Sequence, residues 1–384
     1  MFSKINIEKF SMLQTPFYYY DLTLLNKTLE ALKETSGKNS YVVHYAVKAN
    51  SNDKILRIIK NYGFGADCVS GNEVLKAIET GFKNKSIVFA GVGKSDEEIK
   101  TALSHDIFCF NVESIQELEV INEIAGTMNK KAGIALRINP NVNAKTHHYI
   151  TTGLEENKFG INPWEFDAII NKLNSLKNLK LIGLHFHIGS QVTDPDVFKG
   201  LCIRVNEVQQ WFNDHRITFE HLNVGGGLGV NYEDPDKFNV PDFNSFFKIF
   251  NKFLKLQPGQ SLHFELGRTI AAQCGSLISK VLYVKDGVNT KFVILDAGMT
   301  ELIRPALYQA YHKIENLSSN GKKEKYDVVG PICETSDTFG KEVLLPRTKR
   351  GDLIVIRSAG AYGEVMSSRY NLRDPVRSVY SDEI

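Results

Sequence analysis

Lys48 is the first residue whose type and place could do chemistry. It follows the apolar run HYAV, where burying an amine is costly unless it is paired or covalently used. A lysine just past a strand end can simply reach solvent. A desolvated lysine can instead lose its proton more easily and condense with a carbonyl. The run Gly225-Gly226-Gly227-Leu228-Gly229 is a second candidate. Glycines let backbone N–H groups approach an anion with no side chain in the way, although the same run could be only a tight turn. Ser190 and Gly267 could add donors to that anion. His185-Phe186-His187 puts two imidazoles on one face of an extended chain. Such a pair can supply two metal ligands, but no well-placed third ligand accompanies it. One flat ring could instead stack on an aromatic ligand, with His185 hydrogen-bonded in the interior. Glu265, just before Leu266-Gly267-Arg268, could pair with Arg268 or keep a pyridine nitrogen protonated, which makes that ring an electron sink. The parts are an amine for an aldehyde, donors for a phosphate, an imidazole face for a ring and an acid for a ring nitrogen. Pyridoxal phosphate has all four matching features, and no metal is expected.

These parts lie far apart in the chain, so the elements must bring them together. Eight apolar, β-branched runs start at Tyr41, Gly63, Ser86, Phe108, Lys131, Lys180, His221 and Ser261. Helix-like stretches lie between them, such as Glu73 to Thr80 and Ser114 to Glu123. A further helix from about Leu22 to Glu34, with Gly37 just beyond, precedes the first run. Strand, loop and helix repeated eight times predicts an α/β fold, a (β/α)8 TIM-like barrel. Functional residues of a barrel sit at the C-terminal ends of its strands, and phosphate sites often follow strands seven and eight. Lys48-Ala49-Asn50, Asp67-Cys68, Arg137, His187 to Ser190, Gly225 to Gly227 and Glu265 to Arg268 all end a predicted strand. After Arg268 short strand-like runs dominate: KFVILDAGM, YDVVGPI, EVLLP and GDLIVIRSAGAYG, with a short helical segment near Pro305 to Ile314. The expected division is an N-terminal segment 1–24, its strand joining the β domain, a barrel over 25–269, and a C-terminal β-rich domain of sandwich or Greek-key type over 270–384.

Composition sets the frame. The chain has 384 residues, 42% hydrophobic and 23% charged, which excludes a disordered or collagen-like protein. A net charge of +2, from 46 basic against 44 acidic residues, offers no excess for nucleic acid or a membrane surface. Cys68, Cys109, Cys202, Cys274 and Cys333 form an odd, scattered set with no C-x-x-C pair, which reads as reduced thiols. With no targeting segment at MFSKINIEKF and no long apolar run, the chain reads as cytoplasmic.

The motifs YAVKAN, HFHIGSQ, NVGGGLG, ELGR, RPALYQAYH, GPICE and GAYG follow in that order. Together they resemble the fold-type III pyridoxal-phosphate decarboxylases, and among these the diaminopimelate decarboxylase family. The likeness runs from TPFYYYD at Thr15 to RDPV ending at Val376. It implies that Lys48 carries the cofactor, His187 stacks on its ring and Glu265 partners its ring nitrogen. Ser190, Gly225, Gly226, Gly227, Gly267 and Arg268 fall at phosphate-side and neighbouring positions. Asp67, Glu73 and Arg137 orient the lysine and ring, and Tyr362 lies near the cofactor. Asn157 stands where a serine is common, with Lys158-Phe159-Gly160 intact.

The resemblance also implies a substrate, meso-diaminopimelate, and a product, L-lysine. A substrate whose distal end is a second amino acid needs a cation for one charge and an anion for the other. Arg304 and Tyr308, assisted by Arg268, match the distal-carboxylate clamp, Glu334 the ammonium partner, and Tyr362 a further contact. Cys333 matches a thiol that protonates the product carbon. In the family Cys333 and Glu334 reach the site from the other subunit, which implies a homodimer with shared sites. The alternatives are an ornithine, lysine or carboxynorspermidine decarboxylase, a non-catalytic decarboxylase homologue, or a metal-dependent barrel hydrolase built on His185 and His187.

Overall fold

The structure is a computed structural model and describes Phe2, residues 4–142 and residues 158–384, with the backbone alone at residues 4 and 5. Asn157 lies outside the described residues. Two compact units form. One comprises the described parts of Leu29–Gly229 and Asp242–Arg268, the other those of Met1–Thr28, Val230–Pro241 and Thr269–Ile384. Residues 230–241, which the expected boundaries place with the barrel, therefore cluster with the sheet.

The N-terminal segment forms a helix, Lys4–Ser11, and then strand β1, Phe17–Tyr20. The eight predicted runs become β2 (Val42–Ala46), β3 (Gly65–Cys68), β4 (Ile87–Phe89), β5 (Cys109–Val112), β6 (Ala132–Ile138), β7 (Leu179–Phe186), β8 (His221–Asn223) and β9 (Ser261–Leu266). All pair in parallel, and β9 returns to β2 through His263 against Val42, closing the barrel. Parallel strands covered on both faces need apolar side chains throughout, so these runs read as continuous rather than alternating.

The helices between them begin on a repeated local signal. Ser70, Ser95 and Ser114 each cap a helix by accepting the N–H three residues on, at Glu73, Glu98 and Glu117. The first long helix differs from its predicted end. It spans Leu22–Lys38 and passes through Gly37. The turn comes at Ser40, with φ 56°, where the Tyr41 N–H reaches back to the Ser36 carbonyl.

The lower interior of the barrel is unusual. Branched aliphatic side chains dominate such layers. Here His44, His221 and His263 pack together with Phe108. Gly65 and Gly183 leave the room, because a Cβ at either would strike the His44 or His221 ring. His44 Nδ1 lies 3.0 Å from the Ser86 carbonyl and its Nε2 lies 3.0 Å from His263 Nδ1. A carbonyl only accepts, so His44 carries its proton on Nδ1 and takes one from His263.

The second unit is one mixed sheet. It contains β10 (Gly275–Asp286), β11 (Lys291–Leu295), β12 (Ile314–Asn316), β13 (Lys323–Val329), β14 (Thr338–Pro346), β15 (Leu353–Ile356) and β16 (Arg377–Tyr380) in the order β12-β15-β10-β11-β13-β14, and β1 joins β10 to β16. β1 runs antiparallel to β10 and parallel to β16. A core of Phe10, Phe17, Tyr19, Ile278, Leu353, Val355 and Val379 fills one face. The segment 230–241 is tied in by Asp236, 2.7 Å from the Arg357 guanidinium, which also meets Glu315 at 2.8 Å. The helix expected near Pro305 to Ile314 is shorter, Arg304–Tyr308, and ends at Gln309 with φ 52° before β12 begins.

Candidate active site

The C-terminal ends of the barrel strands collect the polar residues that the sequence singled out. Lys48 stands on a single 3-10 turn, Val47–Ala49, directly after β2. Its Nζ donates to Oδ2 of Asp67, at the end of β3, over 2.8 Å. Asp67 is fully buried, whereas 36% of the Lys48 side chain is exposed, so the amine can be reached while its partner cannot. Burial raises the Asp67 carboxyl to about 6, the Glu265 charge adds to the rise, and Lys48 opposes both. Glu73, in the first turn of the next helix, accepts the Val69 N–H at 2.7 Å, and burial lifts its carboxyl to about 7.

Glu265 ends β9 with both oxygens engaged. Oε2 accepts from Nε2 of His185 at 2.9 Å. Oε1 accepts from the side-chain amides of Asn111 at 3.1 Å and Asn223 at 2.7 Å. Burial favours the neutral acid, but His185, through charge and hydrogen bond, and Lys48 outweigh it and hold this carboxyl below the usual range. His187, on the loop after β7, accepts the Gly226 N–H at Nδ1 over 3.4 Å. Burial, with the charges of Arg137 and Lys48, holds its imidazole well below the usual range, so the ring is uncharged at neutral pH. Arg137 ends β6 and donates to Glu113 at 2.7 Å, with both side chains almost fully buried. Glu113 also accepts the N–H groups of Gly91 and Gly160, which ties three loops together.

The glycine run after β8 leaves no room for side chains. A Cβ on Gly225 would lie 2.5 Å from the Phe186 carbonyl oxygen, and one on Gly226 only 2.0 Å from that of Glu265. Gly227 has φ 103°, a conformation that other residues rarely adopt. Gly267 sits against Ala46 and Ala49, beside Lys48. Arg268 is buried and donates from Nε and Nη2 to the Ser190 hydroxyl at 3.1 and 3.0 Å.

The barrel thus holds Lys48, Asp67, Glu73, Arg137, His187, Ser190, Gly225 to Gly227, Glu265, Gly267 and Arg268. Arg304, Tyr308, Cys333, Glu334 and Tyr362 belong to the sheet unit. Arg304 is buried, its Nε 3.3 Å from His312 and its guanidinium over the Tyr232 ring at 5.6 Å. Tyr308 is half-buried. Cys333 and Glu334 are exposed, and Glu334 accepts the Tyr370 hydroxyl at 2.7 Å. Tyr362 holds the left-handed φ of 57°, uncommon outside glycine. Sequence reasoning missed Asn111, Asn223 and Glu113, and left His185 as an interior histidine. A signal was present: polar residues inside strands that are otherwise apolar, Asn223 standing at the even spacing of one face from Gly225.

The residues fit pyridoxal phosphate. Asp67 Oδ1 is buried with no partner, next to an amine exposed enough to react. The glycines form a cradle that any Cβ would obstruct. An uncharged imidazole and a buried carboxylate complete the set.

A parallel barrel carrying this set defines the class of pyridoxal-dependent decarboxylases, and the family model described as pyridoxal-dependent decarboxylase, pyridoxal binding domain, matches residues 22–272. The chain is 60% identical to a diaminopimelate decarboxylase of Bacteroides thetaiotaomicron, across 98% of both chains. The crystal structure of diaminopimelate decarboxylase from Helicobacter pylori complexed with L-lysine superposes with a TM-score of 0.91 at 40% identity, covering 97% of this chain and 93% of that one. The enzyme of the same name from M. jannaschii, also in complex with L-lysine, gives 0.90 at 35% identity, over 98% and 89%. The chain belongs to the diaminopimelate decarboxylase family. Among the described residues no helix is long and apolar enough to cross a membrane.

Proposed function

We propose that this chain, with pyridoxal phosphate bound in the barrel, removes one carboxylate of meso-diaminopimelate to give L-lysine and CO2. The observation that carries the proposal is the convergence of Lys48, Asp67, Glu265 and the glycine cradle in one barrel mouth, in a chain 60% identical to an enzyme of that name. When bound, pyridoxal phosphate supplies an aldehyde for an amine and a protonated ring that accepts the electron pair left behind by CO2.

The protein's part is positioning and proton control. Lys48 would hold the cofactor through its amine, and Asp67, 2.8 Å away, keeps that amine in place. Glu265 would face the ring nitrogen and hold a proton there. His187 offers an uncharged face to the ring. The Gly227 and Gly267 N–H groups, with the Ser190 hydroxyl, would hold the phosphate, while Gly225 and Gly226, whose N–H groups go to Asn223 and His187, would leave room for it. Arg137, fixed by Glu113, and Arg268, fixed on Ser190, frame the site.

Arg304 and Tyr308, with Arg268, hold the distal carboxylate, and Glu334 holds the distal ammonium. Tyr362 contributes a further contact. The C–C bond to the departing carboxylate breaks first and leaves its electron pair behind, and the Cys333 thiol would then give its proton to that carbon to form a C–H bond. Cys333 and Glu334 are exposed, which suits groups delivered to the site of a second subunit, and the working form is a homodimer in the cytoplasm. The test is CO2 release from meso-diaminopimelate by protein loaded with pyridoxal phosphate, with ornithine and lysine as controls. Release from diaminopimelate alone is expected. No release, or faster release from either control, overturns the proposal.

A further inference from the structure

Glu265 is surrounded by donors from three other strands. Asn111 comes from β5, His185 from β7 and Asn223 from β8, and all four side chains are buried. An ionised carboxylate offers about four lone-pair positions. Two on Oε1 are taken by the carboxamides, and one on Oε2 by His185. One position is left, and it belongs to Oε2.

The choice of donors carries meaning. A lysine or arginine in place of the carboxamides would add a further charge to those of His185 and Lys48 and could take the last position. Carboxamides orient a carboxylate without cancelling its charge. The arrangement also has a cost. Asn111 Oδ1 and His185 Nδ1 are buried without a hydrogen-bond partner, which is unfavourable for a polar atom. A carboxylate that needed only burial could be held without leaving these atoms unmet.

We infer that Asn111, Asn223 and His185 are positioning residues that turn Glu265 so that a single lone pair of Oε2 is presented to the ring nitrogen of the cofactor. The inference rests on the proposed function. It assigns to three residues outside the predicted site the task of deciding which oxygen of Glu265 meets the ring. Two neutral dipoles and one imidazole then keep the carboxylate from rotating, and the ring nitrogen keeps its proton.

The experiment loads wild-type protein and the variants Asn111→Ala, Asn223→Ala, His185→Leu, His185→Gln and Glu265→Gln with pyridoxal phosphate labelled with 15N in the ring. The ring-nitrogen chemical shift is read by NMR, kcat and KM are measured on diaminopimelate, and melting confirms folding. Asn111→Ala, Asn223→Ala and His185→Leu should move the shift toward the unprotonated value. Their kcat should fall about tenfold to a hundredfold, the usual effect of removing an outer partner of a reactive group, with little change in KM. His185→Gln keeps a donor and should recover most of the loss. If Asn223→Ala does not fold, Asn223→Ser, whose hydroxyl is too short to replace the amide, carries the same expectation. A wild-type shift in the folded variants overturns the inference whatever happens to kcat, because packing alone would then explain the cluster. Glu265→Gln separates the two levels. If it leaves the shift unchanged, the assignment of Glu265 to the ring falls and the inference falls with it. If it alone moves the shift, only the inference falls.

Discussion

The ammonium of Lys48 and the carboxylate of Asp67 meet at 2.8 Å, and the second oxygen of that carboxylate is buried with no partner. An amine in solution is free to turn. Here it is anchored from below by a group that solvent cannot reach, while its own side chain stays partly open. The pair therefore fixes the direction in which the lysine nitrogen points, ready for attack once its proton is given up.

The covalent link can be tested directly. Protein loaded with pyridoxal phosphate, reduced with borohydride and then denatured should keep the cofactor attached. Lys48→Ala should lose it on denaturation and lose activity by several orders of magnitude. Covalent retention in Lys48→Ala would assign the link to another amine.

The glycine cradle makes a steric prediction. Gly226→Ala places a Cβ 2.0 Å from the Glu265 carbonyl oxygen, so backbone must move. Overpacking of this kind costs about 1–3 kcal/mol. Urea unfolding should show that loss, and the dissociation constant for pyridoxal phosphate should rise at least about tenfold, about 1.4 kcal/mol of binding, because the backbone that must move lines the cradle. Gly93→Ala, where nothing lies within 4 Å, serves as the control and should leave both unchanged.

Arg304 should discriminate substrate from cofactor. On the proposed function, Arg304→Gln would remove one charged partner of the distal carboxylate, worth about 1.5–3 kcal/mol. KM for diaminopimelate should rise roughly tenfold to a hundredfold with cofactor affinity preserved. Steady-state kinetics with a cofactor titration checks both, and an unchanged KM would remove Arg304 from the substrate site.

The histidine layer beneath Glu265 predicts a pH effect. Burial lowers His221 to about 3 and His263 to about 2, and it lowers His44 as well, with neighbouring imidazoles adding to the shift and Glu265 opposing it. Such a group is uncharged when folded, while the unfolded chain takes up a proton below about pH 6.5. Its contribution is present above that pH and is lost as pH falls. His263→Gln removes one such loss. The stability gap between wild type and this variant, measured in urea with cofactor loading held constant, should shrink by about 1–2 kcal/mol from pH 7 to pH 5. A constant gap would mean that His263 already takes its proton when folded.

Much of the barrel was legible because its signals are local. A strand buried on both faces needs an apolar run, and all eight such runs became barrel strands. Lys48, the glycine run and Glu265 stood out because their types are costly or unusual at a strand end. The ends of elements were less legible. Gly37 suggested a helix stop, but an exposed glycine can remain helical, and Ser40 made the turn instead. β10 and β16 escaped a search for separate strand-rich runs, whereas the strand expected in the N-terminal segment is β1, which pairs with both of them.

The amino-acid sequence alone determined which residues were available for chemistry and which strand each would end, since both follow from residue type and short-range periodicity. Tertiary structure alone decided the partners. Asn111 meets Glu265 across 154 residues of chain, His185 across 80 and Asn223 across 42. No local pattern encodes such contacts. They arise when a closed barrel brings inward-facing side chains of distant strands to the same height, and that geometry makes a buried glutamate a directed one.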